Sequence, residues 1–175
     1  LPVVYSTASA ENFARGAIKI INETGIADNL AFGAETDDLS ALSAAAELLV
    51  NPTERFTEIL KSELSKGMSF PSARARAFSL VTGKNPDILG TSNNILAVEY
   101  LKALKIFSSN IKPVITKRTG SEYNSDKIDG SIASASAIRK VIYKGKTNLL
   151  AQTVPPECFD LYEKAQPIFM DNFSD

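Results

Sequence analysis

The fold class of this chain follows from residues 29–37, which read NLAFGAETD. Residues 29–33 form a short, mostly apolar run that ends in a glycine, and such a run predicts a buried strand. The loop that follows is polar, and Thr36 or Asp37 is expected to cap a helix over residues 38–49. A strand that leads through a short loop into a helix indicates an α/β fold.

A helix is also expected on the other side of this strand. Ser9 can cap it, residues 10–24 would form it, and Gly25 would end it. Ligands of α/β sheets bind at the carboxyl ends of the strands, and Gly33 lies at such an end. This glycine either allows the backbone to approach a ligand closely or only makes a turn, and the residues alone leave both interpretations open.

The clearest strand lies at residues 111–116, and it leads directly into Lys117 and Arg118. Two cations at a strand end, with a glycine loop after them, lie where a parallel α/β sheet places its ligand. A long amphipathic helix is expected before this strand, with Asn93 and Asn94 at its start. Adjacent asparagines there either cap the helix or hydrogen-bond a sugar or a base.

Residues 52–83 predict two helices with no strand between them, and therefore an insertion into the α/β core. Pro52 suits the first turn of the first helix, which would reach residue 66. The second helix would begin at Ser69 and end near Gly83. The side chains expected to face inward from the first helix are Phe56, Ile59, Leu60 and Leu64, and those expected to be solvated on the second are Arg74 and Arg76.

A serine-rich stretch, SIASASAIRK at residues 131–140, follows a glycine break and opens another helix. Ser134 or Ser136 can cap that helix, because a hydroxyl there accepts a hydrogen bond from an otherwise unpaired backbone N–H. The first-turn N–H groups, the hydroxyls and Arg139 would then surround a small volume suited to a phosphate. A plain capped surface helix is the alternative, and both interpretations stay open here.

The chain is expected to comprise a partial domain over residues 1–145 and the start of a helical region over residues 146–175. It does not begin with methionine, and it begins inside an apolar stretch, so we expect a fragment. We find no apolar run long enough to span a membrane and no secretory leader, which predicts a cytoplasmic location.

Composition excludes several kinds of chemistry. The chain has no histidine, which removes Ser-His-Asp catalysis, Cys-His catalysis and histidine metal sites. Cys158 is the single cysteine, so the chain has no internal disulfide, and a cysteine zinc site is not expected. We therefore predict no metal site and assign no catalytic residue.

Positive charge is concentrated between residues 100 and 146. That segment carries ten lysines and arginines against three acidic residues, whereas residues 1–99 and 147–175 each have a net charge of −4. A basic segment between acidic flanks is either a face for an anion or a nucleic acid, or a helix surface that lysines solvate.

Several motifs, taken in order, resemble one family. They are Leu1-Pro2, SAENFARGA at 9–17, FGAE at 32–35, SFP at 69–71, SNNIL at 92–96, ITKR at 115–118 and SASAIRK at 134–140. Over nearly the whole chain they resemble the bacterial tRNA(Met) cytidine acetate ligases, which belong to the HIGH-type nucleotidyltransferase superfamily. The resemblance implies a Rossmann-like nucleotidyltransferase core.

The resemblance also implies an enzyme that uses ATP, with Mg²⁺ accompanying it, to activate acetate as acetyl-adenylate. The enzyme would then acetylate N4 of the wobble cytidine of elongator tRNA(Met). Gly33, Asn94 and Arg118 match family positions that bind ATP. Residues 134–139, with Ser134, Ser136 and Arg139 among them, resemble the SSTxxR signature that contacts the ATP phosphates.

The sequence departs from the family pattern in places. The family's first strand and its HxGH-type motif would lie before Leu1, and Tyr123-Asn124 stands where the family usually has a Tyr-His pair. We therefore expect this chain alone not to catalyse adenylation. We expect Arg118 and Arg139 to converge on one anion site, and the segment 102–146 to face tRNA. Two alternatives stay open, a nucleotidyltransferase acting on a small metabolite and a non-catalytic α/β binding module.

Overall fold

Two parallel strands form the sheet. In the computed structural model, which describes residues 1–118 and 133–164, strand β1 spans Asn29–Ala34 and strand β2 spans Lys112–Lys117. Asn29 lies opposite Lys112, and Ala34 lies opposite Lys117. Parallel pairing brings the carboxyl ends of both strands to the same edge. Both predicted strands and the α/β class are confirmed.

Helices account for most of the described residues. They are α1 (Val3–Ser6), α2 (Ala10–Thr24), α3 (Leu39–Val50), α4 (Glu54–Ser65), α5 (Phe70–Thr82), α6 (Ser92–Ile106), α7 (Ala135–Tyr143) and α8 (Pro156–Lys164), with 3₁₀ turns at Pro86–Leu89 and Thr147–Leu150. The two consecutive helices predicted within residues 52–83 are confirmed as α4 and α5. The loop that contains Tyr123-Asn124 and the chain after residue 164 lie outside the described residues.

The chain divides into two compact units, residues 1–118 and residues 119–175. In the first unit, α2, α3, α5 and α6 bury an apolar core that includes Ile18, Leu42, Phe78 and Val98. Small residues on α3 let α6 pack closely against it. In the second unit, α7 and the 3₁₀ turn after it bury Ala137 and Leu150. The domain boundary expected at residue 145 stays a prediction.

The expected capping residues are confirmed at both ends of α2, but the expected cap of α3 is corrected. Ser9 accepts a hydrogen bond from the Asn12 N–H at 3.4 Å, and Gly25 ends α2 with a φ of +66°. Helix α3 is capped by Asp38, whose Oδ1 accepts from the Ala41 N–H at 2.8 Å, so the expected caps Thr36 and Asp37 were wrong. Thr36 instead accepts from the Asp38 N–H through its hydroxyl.

Helix α4 differs from the prediction at its start and on its buried face. Thr53 caps it, so Pro52 precedes the helix and does not occupy its first turn. Leu64, expected to face inward, is 37% exposed, whereas Glu63 is buried. A carboxylate is tolerated there because Lys66 Nζ lies 2.7 Å and Arg76 Nε 3.1 Å from its oxygens.

The two arginines expected to be solvated on α5 have different surroundings. Arg76 is exposed but is ion-paired with Glu63. Arg74 is half-buried, and its guanidinium carbon lies 5.9 Å from the centre of the Phe70 ring. The prediction was therefore wrong for Arg74, because an aromatic side chain one turn away offers a cation–π contact.

Candidate functional site at the carboxyl end of the sheet

Gly33 and Arg118 lie together where the two strands end. The Arg118 N–H donates to the Ala34 carbonyl at 2.8 Å, which extends the ladder by one residue beyond β2. The Arg118 side chain then crosses Gly33, so that a Cβ on Gly33 would lie 3.3 Å from Arg118 Cγ. Gly33 lies inside β1, so it makes no turn, and its lack of a side chain leaves room for the arginine.

A cavity of about 300 Å³ runs along β1 between α2 and α6. Its lining is Ala17, Ile21, Leu30, Ala31, Phe32, Gly33, Asn93, Leu96, Tyr100 and Arg118. The walls are mainly apolar, and the lining residues with polar side-chain groups are Asn93, Tyr100 and Arg118. Burial raises the pKa of Tyr100, whose ring lies 5.7 Å from that of Phe32.

The cavity follows an edge of the strand and not one of its faces, because consecutive residues of β1 all line it. On the other edge, the Lys112 N–H donates to the Asp28 carbonyl, and the Arg118 N–H donates to the Ala34 carbonyl. Backbone groups alternate in direction along a strand, so those of Ala31 and Gly33 face away from β2. The cavity side of β1 therefore presents backbone donors and acceptors that β2 does not use.

The Asn94 side chain forms hydrogen bonds within the protein. It is buried, and its Oδ1 accepts from the backbone N–H groups of Glu35 at 2.9 Å and Thr36 at 3.1 Å. Its Nδ2 donates to the Asp87 carbonyl at 3.2 Å. The cap interpretation was wrong, because Thr91 holds the N-cap position of α6 and Asn94 ties the loop after β1 to that helix. An ATP contact by Asn94 stays a prediction.

Asn94 also lies apart from the Gly33–Arg118 cavity. It lines a second cavity, of about 400 Å³, together with Thr36, Lys84 and Asp87 among others. Its neighbour Asn93 is the asparagine that lines the first cavity beside Arg118. The sequence could not distinguish the two, because both stand at the start of one helix.

Glu35 is a residue whose role sequence reasoning missed. Its carboxylate accepts from the Thr91 hydroxyl at 2.9 Å, from the Asn93 amide at 2.6 Å, and from the backbone N–H groups of Asn93 and Asn94 at 3.2 and 2.7 Å. Burial alone would raise the pKa of Glu35, but these hydrogen bonds outweigh it, and the pKa is lowered. An acid directly after a strand was the available signal, but its partners lie far away in the sequence.

The predicted phosphate-binding helix begins as expected. Ser134, and not Ser136, caps α7, and its Oγ accepts from the Ala137 N–H at 3.0 Å. Arg139 Nη2 donates to Ser136 Oγ at 3.4 Å, so these two side chains share one face of the helix. A phosphate contact by Ser134, Ser136 or Arg139 stays a prediction, as does the convergence of Arg118 and Arg139.

Ion pairs reduce the free charge of the basic segment. Lys102 Nζ lies 2.7 Å from Glu99 and 3.4 Å from Glu11, and its side chain is largely buried. Lys105 pairs with Glu47, and Lys117 pairs with Asp37. These three lysines are therefore partly neutralised by acids of the protein, which weakens the expectation that all of residues 102–146 face an anion.

Residues 1–118 and 133–164 contain neither a cluster of metal-ligating side chains nor a helix that could span a membrane. There, no three His, Cys, Asp or Glu side chains come together as they would around a metal ion. None of the helices in this part of the chain has the length and apolar character needed to cross a bilayer.

Comparison with known proteins assigns the family. A family model described as HIGH Nucleotidyl Transferase matches residues 1–175, the whole chain. The chain belongs to the HIGH nucleotidyltransferase family. Its relatives include the tRNA(Met) cytidine acetate ligases of Acetivibrio thermocellus and Caldanaerobacter subterraneus, each 41% identical over 99% of this chain. The resemblance predicted from the sequence motifs is confirmed.

Solved structures of this nucleotidyltransferase family agree with the fold. TmcAL from Thermotoga maritima, in an apo form, matches 99% of this chain and 44% of that one, with a TM-score of 0.87 and 32% identity. The same protein bound with alpha-thio ATP matches with a TM-score of 0.79 and 30% identity, over 94% and 39% of the two chains. The chain spans 45% of the length of each of the two ligases named above. The nucleotidyltransferase-like fold is confirmed.

Proposed function

We propose that this chain is part of a tRNA(Met) cytidine acetate ligase. The complete protein would use ATP to activate acetate and would acetylate N4 of the wobble cytidine of elongator tRNA(Met). The observation that carries the proposal is 41% identity, over 99% of this chain, with a relative of that name.

The proposed reaction has two steps. An acetate oxygen attacks the α-phosphorus of ATP, the bond to the β-phosphate oxygen breaks, and pyrophosphate leaves with acetyl-adenylate formed. The cytidine N4 amine then attacks the acetyl carbonyl, AMP leaves, and the amine loses a proton. Negative charge builds on the phosphates in the first step, so positioned cations lower its barrier.

Arg118 is the side chain of the first unit best placed to supply that charge. Its guanidinium is exposed at the carboxyl end of the sheet, and no described carboxylate pairs with it. Gly33 lets it lie close against β1. We propose that Arg118 binds ATP phosphate oxygens, and that Ser134, Ser136 and Arg139 of α7 contribute to the same phosphates.

The cavity-facing edge of β1 supports pairing with a further strand, one that belongs to the complete protein and not to this chain. Ala31 and Gly33 direct backbone groups away from β2, into a cavity that apolar side chains wall on both sides. A further parallel strand would satisfy those groups and fill the cavity. We propose that the complete protein places the family's first strand here, and with it the HxGH-type motif next to Arg118.

Magnesium would enter with the nucleotide. The described residues hold no acidic cluster that could ligate the ion alone. ATP phosphate oxygens are suitable ligands for Mg²⁺, so the nucleotide itself would carry the ion. A cytoplasmic location follows from a tRNA substrate.

The test uses the complete protein with Arg118→Ala, and with Arg55→Ala as a control at an exposed arginine of α4. Acetate-dependent exchange of pyrophosphate into ATP should fall about 100-fold in Arg118→Ala, because a charge that stabilises the transition state is lost. Arg55→Ala should match wild type. Unchanged exchange in Arg118→Ala would contradict the role proposed for Arg118. No exchange by the wild-type protein would favour a non-catalytic module, and exchange that requires another acid would favour a small-metabolite enzyme.

A further inference from the structure

Two N–H groups of Asn93, one from its backbone and one from its side chain, bind the same oxygen of Glu35. Glu35 Oε1 accepts from the Asn93 backbone N–H at 3.2 Å and from Asn93 Nδ2 at 2.6 Å. An ionised carboxylate can only accept hydrogen bonds, so the amide nitrogen of Asn93 has to face it. The amide oxygen, Oδ1, therefore points away from Glu35.

The Oδ1 atom of Asn93 is available to a ligand. Asn93 lines the cavity along β1 together with Arg118, whereas Glu35 lines the second cavity. Among residues 1–118 and 133–164, no donor forms a hydrogen bond with Asn93 Oδ1. The cavity along β1 thus combines an acceptor from Asn93 with the exposed guanidinium of Arg118.

Glu35 has no acceptor capacity left for a ligand. Its second oxygen, Oε2, accepts from the Thr91 hydroxyl at 2.9 Å and from the Asn94 backbone N–H at 2.7 Å. With the two donors of Asn93, the carboxylate accepts from four N–H and O–H groups of the protein, which is its full capacity. Glu35 can therefore influence a ligand in the cavity along β1 only through Asn93.

We propose that Glu35 is a positioning residue, which turns the Asn93 amide so that Oδ1 accepts a hydrogen bond from a ribose hydroxyl of ATP. This inference rests on the proposed function. An acceptor among mainly apolar walls needs a donor once a ligand displaces water from it. ATP has donors on its ribose and on adenine. The ribose is joined directly to the α-phosphate, so it is the donor nearer to the phosphates proposed for Arg118.

A ribose contact and a phosphate contact have different kinetic effects. The ribose does not react, so its hydrogen bond to Asn93 is about as strong in bound ATP as in the transition state. Loss of such a contact raises KM and leaves kcat nearly unchanged. Arg118, by contrast, is proposed to stabilise charge that develops on the phosphates, and its loss lowers kcat.

The experiment measures acetate-dependent exchange of pyrophosphate into ATP, 2′-deoxy-ATP and 3′-deoxy-ATP by the complete protein. Asn93→Ala removes the acceptor. Glu35→Gln allows the Asn93 amide to turn, and Glu35→Asp withdraws the carboxylate but keeps a negative charge at the start of α6. Thr91→Val is the matched control, because it removes a hydrogen bond to Glu35 and leaves Asn93 in place. Thermal unfolding of each protein reports stability.

Wild type should prefer ATP over one of the two deoxynucleotides by about five- to tenfold in kcat/KM, the size of one hydrogen bond. Asn93→Ala, Glu35→Gln and Glu35→Asp should reduce this preference to less than about twofold, mainly by raising KM for ATP. Asn93→Ala combined with Glu35→Gln should lose no more preference than Asn93→Ala alone, because both act on one contact. Thr91→Val should lower stability but keep the preference.

The outcomes separate this inference from the proposed function. If Asn93→Ala loses the preference but folded Glu35→Gln and Glu35→Asp proteins keep it, Glu35 does not position Asn93. Equal use of the three nucleotides by wild type, or a preference that Asn93→Ala keeps, would show that Asn93 does not bind the ribose. In these cases the ligase proposal stands. If wild type does not exchange pyrophosphate with acetate, both proposals fail.

Discussion

Among single residues, Glu35 makes the connection that no local pattern of the sequence predicts. It lies just after β1, yet its carboxylate holds the first turn of α6 through Thr91, Asn93 and Asn94. A carboxylate is favourable there because the start of a helix has unpaired N–H groups and partial positive charge. Glu35 therefore acts as a helix cap supplied from a distant part of the chain.

Glu35→Gln should destabilise the chain by about 1 kcal/mol at pH 7, because the charge at the helix start is lost and the site is partly exposed. The folded-state pKa of Glu35 lies below its ordinary value of 4.5, so its contribution is present above that pH and is lost as pH falls through the folded pKa. Thermal unfolding of both proteins from pH 7 to pH 3 measures this. Glu58→Gln, at an exposed glutamate of α4, is the control, and a stability difference that does not shrink in acid would contradict the assignment.

Residues at the site were predictable to different degrees. Arg118 could be placed at a strand end, because the apolar run of β2 and the cations after it are adjacent in sequence. Asn94 could be located at the start of α6, but its burial could not, because Glu35 and Thr36 lie 59 and 58 residues away. A long-range hydrogen bond leaves no periodic signal, so the sequence could not distinguish a ligand residue from a structural one.

Among helices, the contact between α1 and α2 depends on one glycine. A Cβ on Gly16 would lie 2.6 Å from Tyr5 Cγ and 2.7 Å from its Cδ1, which is too close for any side chain. Tyr5 of α1 therefore lies against the backbone of α2, and Gly16 is the position that admits it.

Gly16→Ala should destabilise the chain by about 1 to 3 kcal/mol, since Tyr5 and α1 must move. The same substitution in a Tyr5→Ala background should instead stabilise it by up to about 1 kcal/mol, because alanine forms helix better than glycine. Urea unfolding of the four proteins gives both values. Equal effects of Gly16→Ala in the two backgrounds would mean that Tyr5 does not determine the choice of glycine.

Most elements could be predicted to within one or two residues, because caps, glycines and apolar periodicity are local. The burial of side chains was harder to predict, because it also depends on contacts with other helices. Glu63 is buried on α4 because Lys66 and Arg76 neutralise it, and Arg76 belongs to the next helix. Sequence spacing predicts an apolar stripe on α4 but cannot predict that a neighbouring helix supplies a counter-ion.

For the molecule as a whole, the chain on its own should bind ATP weakly. The proposed phosphate contacts are shared between Arg118, α7 and the HxGH-type segment, which this chain lacks, so only part of the binding energy is available to it. Isothermal titration of residues 1–175 with Mg–ATP should give a Kd at least about 100-fold above that of the complete protein, which is the matched control. A low-micromolar Kd for a folded 175-residue chain would contradict a shared site.

The start of α6 is closed to small anions from solution, because the Glu35 carboxylate already accepts from the Asn93 and Asn94 N–H groups. In many α/β proteins a helix start of this kind holds a phosphate through backbone groups that solvent ions screen little. Under the proposed function, the nucleotide at the sheet edge is instead held in part by exposed cations such as Arg118, whose attraction falls as ionic strength rises. We therefore expect the ATP affinity of the complete protein to fall as ionic strength rises, and sulfate to compete with ATP at Arg118 and not at the start of α6.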